Sequence, residues 1–560
     1  MRHLPSASRL LLPCLCAVLP WALADAAAAQ QPAADEAALA RYKDCIGRKP
    51  FDYHTRGREQ LAQTRSLEAL RLLADDYAKT KDYPEYARYT IASLIGRHFD
   101  KGESVDVLAA LRAANGRPVD TWLWVQTLRI ETDRVGDAQA LAIARDDKNA
   151  LHRAAAIAAL GESRAGNLKA AVLATCIDFP KKESERNVLL GAMTGALYAQ
   201  KRRVDDADYR EALTAYIGLL APEVGLSHTA KVQMARHLQW ILKGPALFVN
   251  PEPWLEILQR HEVKKPTQGG TSASPRFFGI ETDGERLVYV VDMSDSMCKE
   301  ISPSARPPAA AVTGPRQKKK SALLDESDLP WHKIKTRWDL AREQLRISLL
   351  RLSPDKHFSV VWFGTDSGTL AACKGMIRAT KANVDRVLAE LDSIKTGPAE
   401  PLKAPDGQLL GKTNLHSGLR RAFGLAGKGF VDEVAYVDGD AMTEGCDTIF
   451  LLSDGAPSWD DFAVVDKDYG EDQVVVDTEY KAAAPRTAQI QYHGPYVGDD
   501  WLVEDVKRMN AFRRIRLHCV GLGEANMQLL TRLAEIGHGE VFVVGQRKAE
   551  GADKGGPSLK

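Results

Sequence analysis

Two patterns of apolar residues divide the chain. From about residue 35 to residue 263, apolar positions recur every three or four residues, and short turns with Gly, Pro or Asp separate the runs. This spacing predicts one helix after another, with few strands. The clearest predicted helices are Leu67–Tyr77, Tyr86–His98, Thr121–Ile130, Ala150–Leu160, Val188–Tyr198 and Ala230–Leu242. We therefore expect an all-α domain over residues 35–263.

Residues 277–545 alternate between short apolar runs and helical patterns. The runs typical of strands are Leu287–Val291, Phe358–Phe363, Thr448–Leu452, Ile515–Val520 and Glu540–Val544. The helical patterns are Arg337–Leu352, Ala382–Ile394, Ser417–Leu425, Leu502–Phe512 and Met527–Ile536. Such alternation predicts a mostly parallel sheet that is covered by helices on both faces. Residues 277–291 also read as a hairpin that turns at Asp283-Gly284.

Four segments have the composition of linkers, insertions or tails. Residues 264–276 form a predicted linker, and residues 546–560 form a polar tail that we expect to be disordered. Residues 299–328 and 456–500 are predicted insertions in the α/β domain. The first reads as a disordered surface loop or as a flexible flap. The second contains two β-like runs, within residues 464–477, that predict a hairpin.

The composition narrows the functional class. The chain has 560 residues, of which 45% are hydrophobic and 27% charged, with a formal net charge of +1. This length predicts several domains, and the near-neutral charge gives no reason to expect nucleic acid as a partner. No segment after the N-terminal one is apolar over a membrane-spanning length.

The N-terminus has the pattern of a signal peptide. Arg2 and Arg9 precede an apolar stretch, and Ala22-Leu23-Ala24 is a small-x-small cleavage site. We predict a signal peptide over residues 1–24, with cleavage as late as residue 29 as the alternative. The mature protein is then exported, to the periplasm or to the cell exterior.

Six cysteines remain after removal of the signal peptide. They are Cys45, Cys176, Cys298, Cys373, Cys446 and Cys519. An even number in an oxidising compartment permits disulfides, but the sequence does not determine any pairing. Cys519 lies within an apolar strand, so we expect it to be a buried free thiol.

Polar residues of one chemical kind follow the first predicted central strand. Asp292, Ser294 and Ser296 alternate at its end, within Asp292-Met293-Ser294-Asp295-Ser296. Side chains at alternate positions of an extended chain point the same way, so three oxygens can converge on one point. Hard oxygen ligands with little charge suit Mg²⁺ or Mn²⁺ better than zinc.

Two further segments carry polar residues to the same edge of the predicted sheet. Thr413 opens the helical pattern after Lys412, and Asp454-Gly455 follows the apolar strand that ends at Ser453. Alone, the first motif reads as a surface turn, Thr413 as a helix cap and Asp454-Gly455 as a turn. Ligands of α/β sheets bind beyond the carboxyl ends of the strands, and all three motifs fall there.

This order of motifs resembles that of a von Willebrand factor type A domain with its metal-ion-dependent adhesion site. The resemblance implies that five residues surround one divalent cation, directly or through water: Asp292, Ser294, Ser296, Thr413 and Asp454. One position departs from the family pattern, because Asp295 stands between the serines where Gly is usual. This extra carboxylate bears on the choice between Mg²⁺ and Ca²⁺. For the cation of this site we expect Mg²⁺, with Mn²⁺ or Ca²⁺ as alternatives.

The helical half resembles a known repeat more weakly. His152–Gly161, followed by a second helix from Asn167, is similar to one unit of a HEAT-like repeat. An irregular helical bundle is the alternative. The expected fold class is thus multidomain: an N-terminal all-α array, HEAT-like or irregular, then a doubly wound, Rossmann-like α/β domain of the von Willebrand type. This layout resembles that of bacterial exported proteins that join a HEAT-like helical region to a von Willebrand factor type A domain.

These expectations favour a binding function over catalysis. The resemblance implies an adhesion or scaffold module in which the bound ion takes up an Asp or Glu side chain of a partner protein. The sequence has no HExxH or GxSxG motif, and His416 reads as a hydrogen-bonded loop residue. The alternatives are a metal-dependent hydrolase and a structural subunit of an envelope complex. The partner's identity and the oligomeric state stay open.

Overall fold

The computed structural model describes part of the chain. It covers residues 35–47, 51–79, 86–100, 104–242, 248–260, 275–301, 324, 326–394, 409, 411–431, 436–458 and 499–544. The predicted signal peptide, residues 264–274 of the linker, residues 302–323 and 459–498 of the insertions, and the tail lie outside these ranges. The predictions for those segments stay predictions.

The N-terminal region is a helical array, as the periodicity predicts. Helix α1 spans 35–46. The next helices are α2 (Phe51–Gln63), α3 (Leu67–Lys79), α4 (Tyr86–His98), α5 (Val105–Ala114), α6 (Thr121–Val135) and α7 (Ala138–Asp146). They are followed by α8 (Ala150–Glu162), α9 (Leu168–Ile177), α10 (Glu183–Ala199), α11 (Ala207–Gly218), α12 (His228–Leu242) and α13 (Pro251–Arg260). No helix in the described ranges is long and apolar enough to cross a membrane.

Side-chain caps and small residues shape this array. Asn149 and Asn167 each accept a hydrogen bond from the first turn of the helix that follows, α8 and α9 respectively. Helices α8 and α10 pack so closely that a Cβ added at Gly161 would lie 2.3 Å from the Cβ of Ala196. A glycine at this position therefore lets the two backbones approach.

The C-terminal region contains a mixed sheet. Its strands are β3 (Arg286–Asp292), β4 (His357–Phe363), β5 (Ser367–Thr369), β6 (Ile377–Arg378), β9 (Thr448–Ser453), β10 (Arg516–Gly521) and β11 (His538–Val543). They lie in the order β11-β10-β9-β3-β4-β5, with β6 also paired to β4. Pairs from β11 to β4 are parallel, whereas β5 and β6 pair with β4 antiparallel. Parallel pairing therefore dominates the centre of the sheet. Two short strands, β7 (Leu425–Ala426) and β8 (Gly429–Phe430), form a separate antiparallel pair.

Helices cover both faces of this sheet. They are α14 (Arg337–Leu350), α15 (Lys381–Ser393), α16 (Leu415–Phe423), α17 (Gly439–Glu444), α18 (Asp499–Met509) and α19 (Met527–Ile536). Leu287 and Tyr289 of β3 pack in one buried cluster with Trp338 of α14. Val288 and Val290 belong to the other cluster, with Leu419 of α16. Alternate residues of β3 thus face two cores, which explains its unbroken apolar run.

The predicted hairpin over residues 277–291 is wrong. A small hairpin, β1 (Arg276–Phe277) with β2 (Ile280–Glu281), turns instead at Phe278-Gly279, where both residues have positive φ. The third strand, β3, pairs with β4 and β9. Gly284 serves a close contact, since a Cβ there would lie 2.5 Å from Thr448 Oγ1. The Asp-Gly signal was therefore a packing requirement and not a turn.

The helical array packs directly on the α/β region. A single buried cluster contains residues of both regions. The Arg508 guanidinium of α18 stacks 3.5 Å from the centre of the Tyr89 ring in α4. Arg236 of α12 forms an ion pair of 2.9 Å with Asp283. Burial and ion pairs across this junction therefore tie the two regions together.

The cysteines form no disulfide. All six predicted cysteines of the mature chain are described and all are free. Cys519 is buried in β10, as expected for a free thiol in an apolar strand. Burial raises the pKa of Cys373 to about 11, so this thiol stays protonated and unreactive at neutral pH.

The junction between the two regions predicts a sensitive glycine. A Cβ at Gly191 of α10 would lie 1.9 Å from the carbonyl oxygen of Phe512, a backbone atom that cannot rotate away. We expect Gly191→Ala to lower the free energy of unfolding by about 2 kcal/mol through overpacking. The check is urea unfolding beside Gly218→Ala, a helical control with nothing within 4 Å of the added Cβ. Equal midpoints for the two variants would contradict the close packing of α10 against the backbone of Phe512.

Buried histidines predict acid lability. Burial, together with Arg516, lowers the pKa of His518 to about 3. The unfolded side chain binds a proton near pH 6.5, so stability is full above that pH and falls as the pH drops toward 3. We expect His518 to cost about 2 kcal/mol of stability at pH 5. Denaturant unfolding at pH 7.5 and 5 would then show a shallower pH dependence for His518→Asn, and an unchanged one for exposed His332→Gln.

Candidate metal centre

The candidate site lies at the carboxyl edge of the central strands. From β3 the chain crosses to β4 on one side, and it later returns through β9 on the other side of β3. In open α/β sheets, ligands bind at the edge where the strand order reverses in this way. Asp292 ends β3 and Asp454 follows β9, so both carboxylates lie at this edge.

Asp292 is wholly buried, and both of its carboxylate oxygens accept hydrogen bonds. Its Oδ1 accepts from the Ser294 amide at 2.9 Å. Its Oδ2 accepts from the Ser453 hydroxyl at 3.0 Å and from the Asp454 amide at 3.4 Å. Burial and the nearby Asp454 carboxylate raise the pKa of Asp292 well above its ordinary value. The anionic form therefore lacks a balancing positive charge at its own oxygens.

Ser294 and Ser296 link the first motif to Asp454. A short 3₁₀ helix over Asp295–Cys298 turns the chain and keeps the two serine side chains together. Their Oγ atoms lie 3.0 Å apart, and Ser296 donates to Asp454 Oδ1 at 2.6 Å. Ser294 is fully buried and Ser296 partly so. Four of the predicted ligands thus form one hydrogen-bonded group.

Thr413 borders this group from a third segment. Both backbone groups of Thr413 pair with Ser458. The Thr413 N–H donates to Ser458 Oγ at 3.1 Å, and the Ser458 amide donates to the Thr413 carbonyl at 3.0 Å. The helix cap is Asn414, which accepts from the Ser417 amide, so the Thr413 hydroxyl is not the cap of α16. The Thr413 Oγ1 lies 3.9 Å from the position of a Cβ on Gly455. The structure therefore places Thr413 beside the residue that follows Asp454.

The chemistry of this group fits a hard cation. It offers two carboxylates and three hydroxyls, which are oxygen ligands of the kind that Mg²⁺ prefers. Adjacent ligands of an octahedral Mg²⁺ lie about 3.0 Å apart, given bonds of about 2.1 Å. The Oγ atoms of Ser294 and Ser296 have that spacing, whereas the hydrogen bond from Ser296 to Asp454 is shorter, at 2.6 Å. Asp295, which departs from the family pattern, is exposed.

Residues suited to zinc are not gathered here. In the ranges that the structure describes, no three His, Cys, Asp or Glu side chains form a metal-binding group. The candidate centre has only two carboxylates, and its other oxygens are hydroxyls. Its donor set therefore corresponds to a site of low charge.

A cationic residue that sequence reasoning missed contacts the second carboxylate. Arg337, the first residue of α14, places Nη1 2.7 Å from Asp454 Oδ2. The helix macrodipole disfavours a positive charge at this end of a helix. An arginine in the first turn, directly after the capping residue Thr336, was the available signal.

Two serines were also missed. Ser453 donates a hydrogen bond to Asp292. Ser458 pairs with both backbone groups of Thr413, its N–H and its carbonyl. Ser453 ends an apolar strand and Ser458 follows Pro457, so nothing in their local pattern distinguishes them from ordinary loop residues. Their role depends on strands that are distant in sequence.

A buried network anchors the helix that follows Thr413. His416 in α16 lies within 2.8 Å of Asp505 in α18, and Arg508 donates to the other oxygen of Asp505 at 2.8 Å. Burial raises the pKa of Asp505, but Arg508 and His416 outweigh it and hold that pKa well below its ordinary value. His416 is hydrogen-bonded as expected, although it lies in a helix and not in a loop. The network continues to Tyr89 of the helical array, on which Arg508 stacks.

Comparison with known proteins identifies no family. No protein-family model matches the chain, and no curated protein matches it. The coarse architecture, a helical array followed by a mixed sheet with parallel strands, is what the structure supports.

The His416 network predicts a sensitive carboxylate. Asp505→Asn removes the buried countercharge of Arg508, and breaking a buried pair in this way costs about 3–5 kcal/mol. We expect a matching drop in the free energy of unfolding. The control on the same helix is Asp500→Asn, whose pair with Arg532 is exposed and should change stability by less than about 1 kcal/mol. Similar losses in both variants would show that the network does not stabilise the fold.

Proposed function

We propose that the chain binds one divalent cation of the Mg²⁺ type through Asp292, Ser294, Ser296, Thr413 and Asp454. The observation that carries this proposal is the hydrogen-bonded group of oxygens at the carboxyl edge of β3 and β9. We propose further that this region is a von Willebrand factor type A domain with a metal-ion-dependent adhesion site. The order of the motifs and their shared edge support that assignment.

The proposed activity is recognition of a partner protein. A bound ion would supply an electrophilic coordination position that an Asp or Glu carboxylate of the partner can occupy. Ser294, Ser296 and Thr413 contribute uncharged oxygens, so the ion would keep much of its charge. Asp292 is held by three donors and therefore presents its oxygens in one orientation. Such preorganisation favours binding, since little ordering is left to do.

A binding role is favoured over hydrolysis by the placement of His416, which follows Thr413 closely in sequence. His416 is fully buried and shares a hydrogen bond with Asp505, on the side of α16 that faces α18. A general base has to reach a metal-bound water, within hydrogen-bonding distance. His416 is engaged elsewhere, so we propose an adhesion or scaffold module of the cell envelope or exterior, and not an enzyme.

Calorimetric titration with Mg²⁺, Mn²⁺ and Ca²⁺ tests the metal site. We expect saturable binding by the wild type and none by Asp292→Ala. Ser294→Ala and Thr413→Val each remove one hydroxyl and should weaken binding about tenfold or more, since even indirect ligand support is worth that much. Asp385→Ala, an exposed carboxylate on α15, serves as the control and should bind as the wild type does.

The partner prediction needs a second measurement. Immobilised mature protein should retain a partner in Mg²⁺ and release it in EDTA, and Asp292→Ala should retain none. Substitution of the partner's contacting Asp or Glu by Asn or Gln should have the same effect. Retention that survives both EDTA and Asp292→Ala would sink the metal-bridged mechanism.

A further inference from the structure

Arg337 already gives the second carboxylate of the candidate centre a positive partner. Its Nη1 lies 2.7 Å from Asp454 Oδ2 and 3.4 Å from the Asp454 carbonyl oxygen. Both side chains are shielded from solvent, with exposed fractions of 9% and 0%. A short, shielded pair of this kind is a strong charge-assisted interaction.

Three chain segments build the seat of this guanidinium. The Arg337 amide donates to the Lys299 carbonyl at 3.1 Å, and Glu300 bridges to Thr336. The start of α14 is therefore paired to the chain that leaves Ser296. On the third side, a Cβ at Gly523 would lie 2.4 Å from the Arg337 Cζ. Gly523 also has a φ of +54°, which glycine adopts without strain. Both the close approach of Arg337 and the backbone conformation therefore favour glycine at this position.

An alternative partner for Arg337 lies at the rim of the site. Glu524 places Oε2 3.9 Å from Arg337 Nη2 and 3.2 Å from Lys299 Nζ. Its side chain is 73% exposed. The guanidinium thus lies between one buried and one exposed carboxylate, with Nη1 toward Asp454 and Nη2 toward Glu524.

A divalent ion and this guanidinium compete for Asp454. The ion would draw on Asp454, directly or through water, while Arg337 holds Oδ2 and places its charge beside Oδ1. Two cations at one shielded carboxylate repel each other strongly, because the local dielectric is low. Filling the centre therefore requires a weakened Arg337–Asp454 pair.

We propose that Arg337 is a tethered competitor of the metal ion. In the metal-free protein it balances Asp454, and on metal binding it moves toward Glu524. Metal affinity is consequently lower than the five oxygen ligands alone would give. Coupling of this kind is reciprocal, so the ion loosens Arg337 as much as Arg337 weakens the ion. This inference rests on the proposed metal site.

The test is Mg²⁺ titration of the full mature chain and of Arg337→Gln. We expect the variant to bind Mg²⁺ about tenfold more tightly or better, a difference of about 1.4 kcal/mol. Glu524→Gln removes the alternative partner and should weaken Mg²⁺ binding by a smaller factor. Arg346→Gln lies on the same helix and pairs with Glu343 and Asp392, so it is the matched control and should leave affinity unchanged.

The outcomes separate this inference from the proposed function. If the wild type binds Mg²⁺, Asp292→Ala does not, and Arg337→Gln binds equally or more weakly, the metal site stands and the competitor role of Arg337 falls. If neither the wild type nor Arg337→Gln binds, both fall. Circular dichroism shows whether Arg337→Gln folds. If it does not, Arg337→Met removes the charge and keeps an unbranched side chain, and an unchanged affinity in that variant overturns the inference.

Discussion

The burial of two carboxylates at one sheet edge is the constraint on which the site depends. Parallel pairing places Val291 opposite Leu452, so Asp292 and Asp454, one and two residues further on, both lie at the strand ends, where they are shielded from water. Like charges in such surroundings repel, and each needs donors or cations nearby. Backbone amides, serine hydroxyls and Arg337 meet that need in the structure. Asp292 itself contacts only neutral donors, and we propose that this favours an added cation beside it.

Packed side chains connect the helical array to the candidate centre. Helix α16 begins directly after Thr413 and Asn414, and its His416 contacts Asp505 of α18. Arg508, on the same helix as Asp505, stacks on Tyr89 of the array. A displacement of α16 would therefore be resisted by groups in both regions. The array supports the site through packed side chains, in addition to any surface that it offers to partners.

The apolar periodicity of the sequence predicted much of the architecture, whereas the sequence predicted only part of the candidate site. Helices such as Tyr86–His98 and strands such as β4 follow their apolar patterns closely, because burial of one face determines them. The five predicted ligands carry local motifs, and the structure brings four of them into one group with Thr413 beside it. Arg337, Ser453 and Ser458 act across long sequence separations, which no local pattern reveals. The turn predicted at Asp283-Gly284 was wrong for the same reason, because Gly284 is required by its close contact with Thr448, which is distant in sequence.

The short pairing between the chain after Ser296 and the start of α14 has a consequence for the length of chain that it encloses. Glu300 and Thr336 are bridged, so the polypeptide departs from the sheet edge and rejoins it at adjacent points. Loop closure depends only weakly on the number of residues enclosed. A change in the number of residues within 302–323 therefore costs little closure entropy and need not displace Ser296 or Arg337, whereas the buried Leu329 and Ile334 constrain the end of the stretch. The length of the enclosed chain is thus only weakly coupled to the arrangement of the oxygens.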